Sequence, residues 1–338
     1  MSKENIDFVM IWVDGNDEEW KKEKRKYTPS ANSDDEDNRY REWDNLKYWF
    51  RGVEKFTPWV HKIHFVTCGH LPAWLNVNHP KLNLVSHKEY MKEEYLPTFS
   101  SHPIELNLHR IQGLSEKFVY FNDDTFITKP MTETDFFRNG LPCSACGFEV
   151  INIKYEPVYY DVMINNMRMI NKEFDSAVFI RKNFFKIFNL HYDAKHIKSL
   201  LLLPWSMGFI PGFINPHLPN AYLKSTFEEV WEKEYELLDE TSKHKFRCGQ
   251  DVNQYIFRYW QFMTGKFSPI NMKKQGAFYY IGKQFEECCS AIKEQKHKMI
   301  CVNDDLPQIS LKEFERHRDN LNLAFDTILP QKSQFERR

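Results

Sequence analysis

Ile6-Asp7-Phe8-Val9-Met10-Ile11-Trp12-Val13 runs directly into Asp14-Gly15-Asn16-Asp17. The first stretch is β-branched and apolar with the length of a buried strand, and the second has the composition of a turn, so a strand ending in carboxylates is predicted. Outward from it, Leu46, Trp49, Phe50, Val53 and Phe56 keep helical spacing across Trp43 to Phe56, and Thr57-Pro58 stops that helix. Strands come next at Ile63 to Thr67 and at Leu82 to Val85. Ile104 to Ile111 reads as a helix leading into a strand at Phe118 to Phe121. Strand, helix, strand, strand, helix, strand is the α/β pattern of a Rossmann-like, mostly parallel sheet.

The last of these strands ends in Asn122-Asp123-Asp124. Ligands of open α/β sheets bind beyond the carboxyl ends of the strands, so Asp14, Asp17, Asp123 and Asp124 are expected to face one crevice. Between the first strand and the first helix, Trp20 to Asp37 has a basic block (KKEKRK) and an acidic one (DDED) with no apolar period, and reads as a solvated loop, with a lid over a charged substrate as the alternative. After about residue 130 longer amphipathic stretches take over, at Phe227 to Leu238, Val252 to Phe262 and Leu311 to Phe325. One domain is expected over 1–338, with an α/β half to about 130 and a more helical half from 131.

Composition narrows the function. Of 338 residues, 42% are hydrophobic and 16% aromatic, enough for a sizeable core. Lys and Arg number 46 against 47 Asp and Glu, so the basic surface needed to follow a phosphate backbone is missing and nucleic acid is not an expected partner. Seven cysteines without a disulfide-like spacing fit a reducing compartment. Cys143-Ser144-Ala145-Cys146 has no second pair to complete a zinc site and reads as free thiols. The apolar run at the N-terminus is too short for a signal peptide or a span. The expected location is cytoplasmic.

Adjacent carboxylates after a strand suit Mg²⁺ or Mn²⁺, hard cations commonly shared with substrate phosphates. The Asn-Asp-Asp triplet recurs at Asn303-Asp304-Asp305, suggesting a shared site. His217 sits in Asn215-Pro216-His217-Leu218-Pro219, held too stiffly for a helix, and is a candidate base or phosphate donor. Arg247, before Cys248-Gly249-Gln250-Asp251, is read at a helix start suited to phosphate oxygens, with an ordinary cap as the alternative.

IDFVMIWVDGNDEEW, DNRYREWDNLKYWFRGVEKFTPWVHKIHFVTCGHLPAWL, LPTFSSHPIELNLHRIQGLSEKFVYFNDDTFI, PHLPNAYLK with HKFRCGQDVNQY, and MICVNDDLP closely resemble, in order, the sequence blocks of the Stealth family. That family comprises bacterial capsular-polysaccharide phosphotransferases and the catalytic part of the lysosomal-enzyme GlcNAc-1-phosphotransferase. The resemblance implies a glycosyltransferase-type core and transfer of a sugar 1-phosphate from a UDP-hexose (UDP-GlcNAc, UDP-GalNAc or UDP-Gal) to a hydroxyl of a glycan or lipid-linked oligosaccharide acceptor. UMP would be released with the help of Mg²⁺ or Mn²⁺. The same resemblance implies peripheral contact at the inner face of the plasma membrane.

Carried over by motif, Asp14, Gly15 and Asp17 match the first block, and Arg39, Asp44 and Arg51 the second. Ser101, Glu105, His109 and Arg110 precede Asn122, Asp123 and Asp124. His217, Arg247 and Asp251 fall in the later blocks, and Asn303 and Asp304 in the last. The implied roles are catalysis for His217, Arg247, Asp124 and Asp251, and metal binding for Asp123, Asp124, Asn303 and Asp304. Substrate binding falls to Asp14, Gly15, Asp17, Arg39, Arg51, Ser101, Glu105, His109, Arg110 and Asn122. One departure is Asp14, where the family more often has Asn. A metal-dependent glycosyltransferase releasing UDP is the alternative, and a carbohydrate-binding protein using its many aromatic rings the third reading.

Overall fold

The computed structural model describes residues 4–28, 40–151, 157–306 and 308–337. Its strands are β1 (Ile6–Ile11), β2 (Ile63–Thr67), β3 (Leu82–Ser86), β4 (Lys117–Phe121), β5 (Thr125–Ile127), β6 (Phe137–Arg138), β7 (Leu141–Ser144), β8 (Asn220–Leu223), β9 (Ser268–Pro269), β10 (Gly276–Tyr280) and β11 (Met299–Asn303). The central sheet has the order β3-β2-β1-β4-β8, parallel except for β8, which runs antiparallel to β4. The α/β, parallel-rich architecture expected from the sequence is the one observed.

Apart from Asp7, β1 is apolar because both of its faces are covered. Phe8 and Met10 join one core with Phe65, Phe121 and the helix Leu46–Phe56, while Val9 joins the other with Val66, Tyr120 and Tyr222. That helix lies close to β5: a Cβ on Gly52 would come within 2.7 Å of the Ile127 carbonyl oxygen. A second sheet, β10-β11-β5, stands beside the first, and β5 follows β4 after a three-residue turn.

Several elements differ from expectation for local reasons. Trp20 to Asp37 is not all loop: Glu18–Tyr27 is a helix, started by Asp17 accepting from the Trp20 amide and ordered by burial of Trp20. The acidic block and Arg39 lie outside the described residues. The helix expected at Ile104 to Ile111 is instead Ser101–Leu106 followed by a 3₁₀ turn, Leu108–Arg110. The break falls at Asn107, whose side-chain amide donates to Pro103 O and Ser242 Oγ, a local bond competing with the helix. Phe227 to Leu238 spans two helices, Lys224–Lys233 and Tyr235–Lys243, and no helix begins at Arg247; the next one starts at Tyr255. Among the described residues no helix is long and apolar enough to cross a membrane.

Candidate active site

Sheet register brings three segments to one edge. Met10 pairs with Phe121 in parallel, so Trp12 to Asp17 and Asn122 to Asp124 leave the sheet at the same end. β8 enters antiparallel, with Asn220 opposite Tyr120, which delivers the preceding loop and His217 to that end too. A glycine is required in the first segment, because a Cβ at Gly15 would overlap the Tyr40 carbonyl at 1.6 Å.

His217 Nε2 lies 3.2 Å from Asp124 Oδ2 and 3.4 Å from Asn122 Nδ2, and the Cys301 thiol approaches the same Asp124 oxygen at 3.2 Å. Burial works against charge on Asp124, but the His217 ring and the thiol hold its carboxyl below the usual range. Burial likewise opposes a charged His217, and Asp124 overrides it, raising the ring's pKa; Glu105 adds to the effect and Arg247 opposes it. The His217 side chain is 38% exposed, so a ligand can reach it. Asp124 Oδ1 and Asn122 Oδ1 are buried without a hydrogen-bond partner. Orphaned acceptors of this kind are costly in a finished core and fit a ligand or a cation.

Beside them, Asp123 is open to solvent yet hemmed in by protein. Burial and the charges of Asp124 and Glu42 push its pKa up to about 7. Glu42, which the sequence reading did not single out, is also raised to about 7, by burial and by Asp44 and Asp14, although it accepts from Trp12 Nε1 and the Asp44 amide. A line of mutually repelling carboxylates thus runs from Asp14 through Glu42 to Asp123 and Asp124. Without a cation, Glu42 and Asp123 keep their protons to higher pH than ordinary carboxyls.

On the other side of His217, Arg247 donates to Ser101 Oγ at 3.0 Å. Its turn is fixed by Asp251, a fully buried carboxylate that bonds His102 Nδ1 at 2.8 Å, His244 Nδ1 at 2.6 Å, and the Cys248 amide and thiol at 3.1 Å each. Burial would raise the Asp251 pKa, but these partners hold it well below the usual carboxylate range. Among the described residues, two groups of side chains are compact enough to hold a metal ion, Asp124–His217–Cys301 and His244–Cys248–Asp251. The second is already closed by its own hydrogen bonds.

Of the other expected site residues, several turn away from this cluster. Arg51 is turned to the C-terminal segment, with Nε and Nη2 on the Glu336 carboxylate at 2.8 and 2.9 Å and Nη1 on the Leu329 carbonyl at 2.9 Å. His109 packs on Phe227 and Trp231, and Arg110 lies over the Trp231 ring. Since Phe227 packs against Phe118, His109 and Arg110 belong near the Lys117 end of β4, away from Asp124. Burial, with Arg110 and Lys224 nearby, lowers the His109 pKa to about 3, a neutral core histidine. Glu105 is buried and accepts from Tyr120 Oη and the Gln254 amide. Asp304 accepts from Arg41 at 2.9 Å and Trp43 at 3.1 Å, whereas Asn303 shares a strand face with Cys301, two residues before it. Asp14 bends its own loop, accepting from the Asn16 amide, and its amide meets His70 Nε2 at 2.8 Å. All seven cysteines are free.

A sequence model described as Stealth protein CR2, conserved region 2, matches residues 39–143. The chain is 43% identical over 338 residues to a capsular polysaccharide phosphotransferase, WcwK, of Streptococcus pneumoniae, covering 99% of each. It is 40% identical to the receptor polysaccharide phosphotransferase WefC of Streptococcus gordonii, covering 98% of this chain and 99% of that one. To the exopolysaccharide phosphotransferase cps2G of Lactiplantibacillus plantarum it is 39% identical, covering 98% and 96%. Among solved structures, a distant likeness extends to the galactosyltransferase LgtC (9% identity, TM-score 0.39, covering 94% of this chain and 95% of that one).

Proposed function

Because the chain belongs to the Stealth family of polysaccharide phosphotransferases, we propose that it moves a sugar 1-phosphate from a UDP-hexose to an acceptor glycan hydroxyl during capsule or exopolysaccharide synthesis, releasing UMP. The observation that carries this reading is the meeting of His217, Asp124, Asn122 and Asp123 at the carboxyl edge of the central sheet, with Arg247 within electrostatic reach.

In this reading His217 takes the proton of the attacking hydroxyl, and Asp124 stabilises the imidazolium that results. Arg247, tethered by Ser101 and by the turn that Asp251 closes, offsets charge on the phosphoryl oxygens. Asp123, the unpartnered oxygens of Asp124 and Asn122, and Glu42 fit Mg²⁺ or Mn²⁺, with Asn303 facing the same side. Such a cation, when bound, neutralises charge on a diphosphate. Asp304 fixes the Arg41–Trp43 wall, and Arg51, His109, Arg110 and Glu105 act as scaffold. Residues to about 130 form the donor side and the rest the acceptor side of one catalytic domain.

The test is to incubate purified protein with a panel of UDP-hexoses, Mg²⁺ or Mn²⁺ and a glycoside acceptor, and to separate the released nucleotides. Acceptor-dependent UMP is expected. Acceptor-dependent UDP would mean an ordinary glycosyltransferase and overturn the proposal.

A further inference from the structure

Seven of the fifteen exposed large hydrophobic side chains among the described residues fall within 184–209. They belong to an excursion built from the short helices Ser176–Lys182, Phe184–Ile187 and Ala194–Ser199 and the 3₁₀ segment Leu200–Met207. Its inner side is well anchored. Phe179, Ile187 and Tyr192 are buried, Lys186 Nζ caps the carbonyls of Gly265 and Phe267 at 2.6 and 2.9 Å, and Ser199 Oγ accepts from the Phe148 amide at 2.9 Å. The outer side is apolar as well: Phe185 is 84% exposed, Leu190 99% and Leu201 75%. An ordered segment with apolar side chains on both sides has a second surface to cover.

The charges on this excursion indicate what covers it. Between 176 and 209 the exposed charged side chains are Arg181, Lys182, Lys195 and Lys198, all basic. The sole acid in the span, Asp193, is buried and caps the helix Ala194–Ser199. Glu149, outside the span, reaches Lys195 at 4.0 Å. Exposed Phe and Leu framed by Lys and Arg is the pattern that inserts into the interface of a bilayer and is drawn to anionic headgroups. The KKEKRK block lacks it: acids intersperse that helix, and its Trp20 is buried inward.

We propose that the 176–209 excursion docks the protein on an anionic lipid bilayer. The excursion lies beside the acceptor side of the cleft. Gly147 and Phe148, which pack on His196 and Ser199, bond through Gly147 O to the Ile214 amide at 2.8 Å, three residues before His217. Docking there brings the loop that carries His217 close to the bilayer surface. The inference goes beyond the proposed reaction, and its test requires neither donor nor acceptor.

The test is co-sedimentation with vesicles of phosphatidylglycerol and phosphatidylcholine, compared with phosphatidylcholine alone, alongside light scattering of the free protein. Wild type is expected to partition onto the anionic vesicles and to be released by salt. Phe185→Ser/Leu190→Ser/Leu201→Ser is expected to lose at least tenfold in partition while keeping its melting temperature and its turnover of a soluble acceptor. Lys195→Glu/Lys198→Glu should weaken binding to anionic vesicles alone. Failure of wild type to bind anionic vesicles, or undiminished binding by the triple variant, overturns the proposal. So does a wild-type dimer that the triple variant makes monomeric without any vesicle binding, which would assign the face to a second copy of the chain.

Discussion

The two ends of the central sheet hold similar residues in opposite states. At the amino end, Asp7 on β1 is fully buried, yet both oxygens are used: His61 Nδ1 lies at 2.8 Å, His64 Nε2 at 3.1 Å and the Ser115 amide at 2.8 Å, with Asn83 completing His64 at 2.9 Å. At the carboxyl end, Asp124 also meets a histidine, but its second oxygen and that of Asn122 have no partner, and Asp123 and Glu42 repel each other. Both ends are rich in Asp and His, so composition cannot separate them. A closed set of hydrogen bonds stabilises the fold; an open one stores unfavourable energy that a ligand can relieve.

The sharpest way to break the contrast is to cut each end. His217→Ala or Asp124→Asn should reduce turnover a hundredfold or more, ~3 kcal/mol or above in transition-state stabilisation, with the melting temperature little changed. Asp7→Ala should do the reverse, costing about 3 kcal/mol in stability by denaturant titration because it strands two histidines and an amide, while folded molecules keep their turnover. Loss of turnover without loss of stability at the Asp7 end would erase the distinction.

A smaller effect separates the ends by charge. Glu42→Gln should raise stability in the absence of divalent cation, by on the order of 1 kcal/mol, while weakening Mg²⁺ or Mn²⁺ binding measured by calorimetry. Added Mg²⁺ or Mn²⁺ should in turn raise the melting temperature of wild type and of Asp7→Asn, but not of Asp123→Asn/Asp124→Asn.

The mildest test is acid. Burial opposes the charge on Asp7, but His64, Ser115 and His61 hold its folded pKa below the ordinary 3.8. That contribution is complete above the ordinary value and is lost as pH falls through the depressed one, and the same sign holds for Asp251. Wild type should therefore lose more stability than Asp7→Asn on going below about pH 4. Equal losses would show that Asp7 is not held ionised.

These contrasts also explain what the sequence made legible. An apolar run that stops at Asn-Asp-Asp announces a strand end with carboxylates, so Asp123 and Asp124 could be read directly, and two prolines marked His217 as rigid. Glu42 carried no such signal. It lies in a polar stretch without period, and its place is set by Trp12 and by the amide of Asp44, a residue with φ of 54°. The two Asn-Asp-Asp triplets looked equivalent but are not, since the first turns into the cleft while the second gives Asp304 to Arg41 and Trp43. Cys301 stands two residues before that second triplet, but only pairing of β11 with β5 puts it beside Asp124. Arg51, His109 and Arg110 show the same limit: residue type states what a side chain can bind, and packing decides which way it points.

The most direct measurement uses a UDP-hexose labelled with ³²P at the β phosphorus, the purified protein, Mg²⁺ or Mn²⁺ and a glycan acceptor. Sugar 1-phosphate transfer at the Asp124–His217 edge predicts label on the acceptor, absent with His217→Ala. Label left in released nucleotide, with unlabelled sugar on the acceptor, would contradict it.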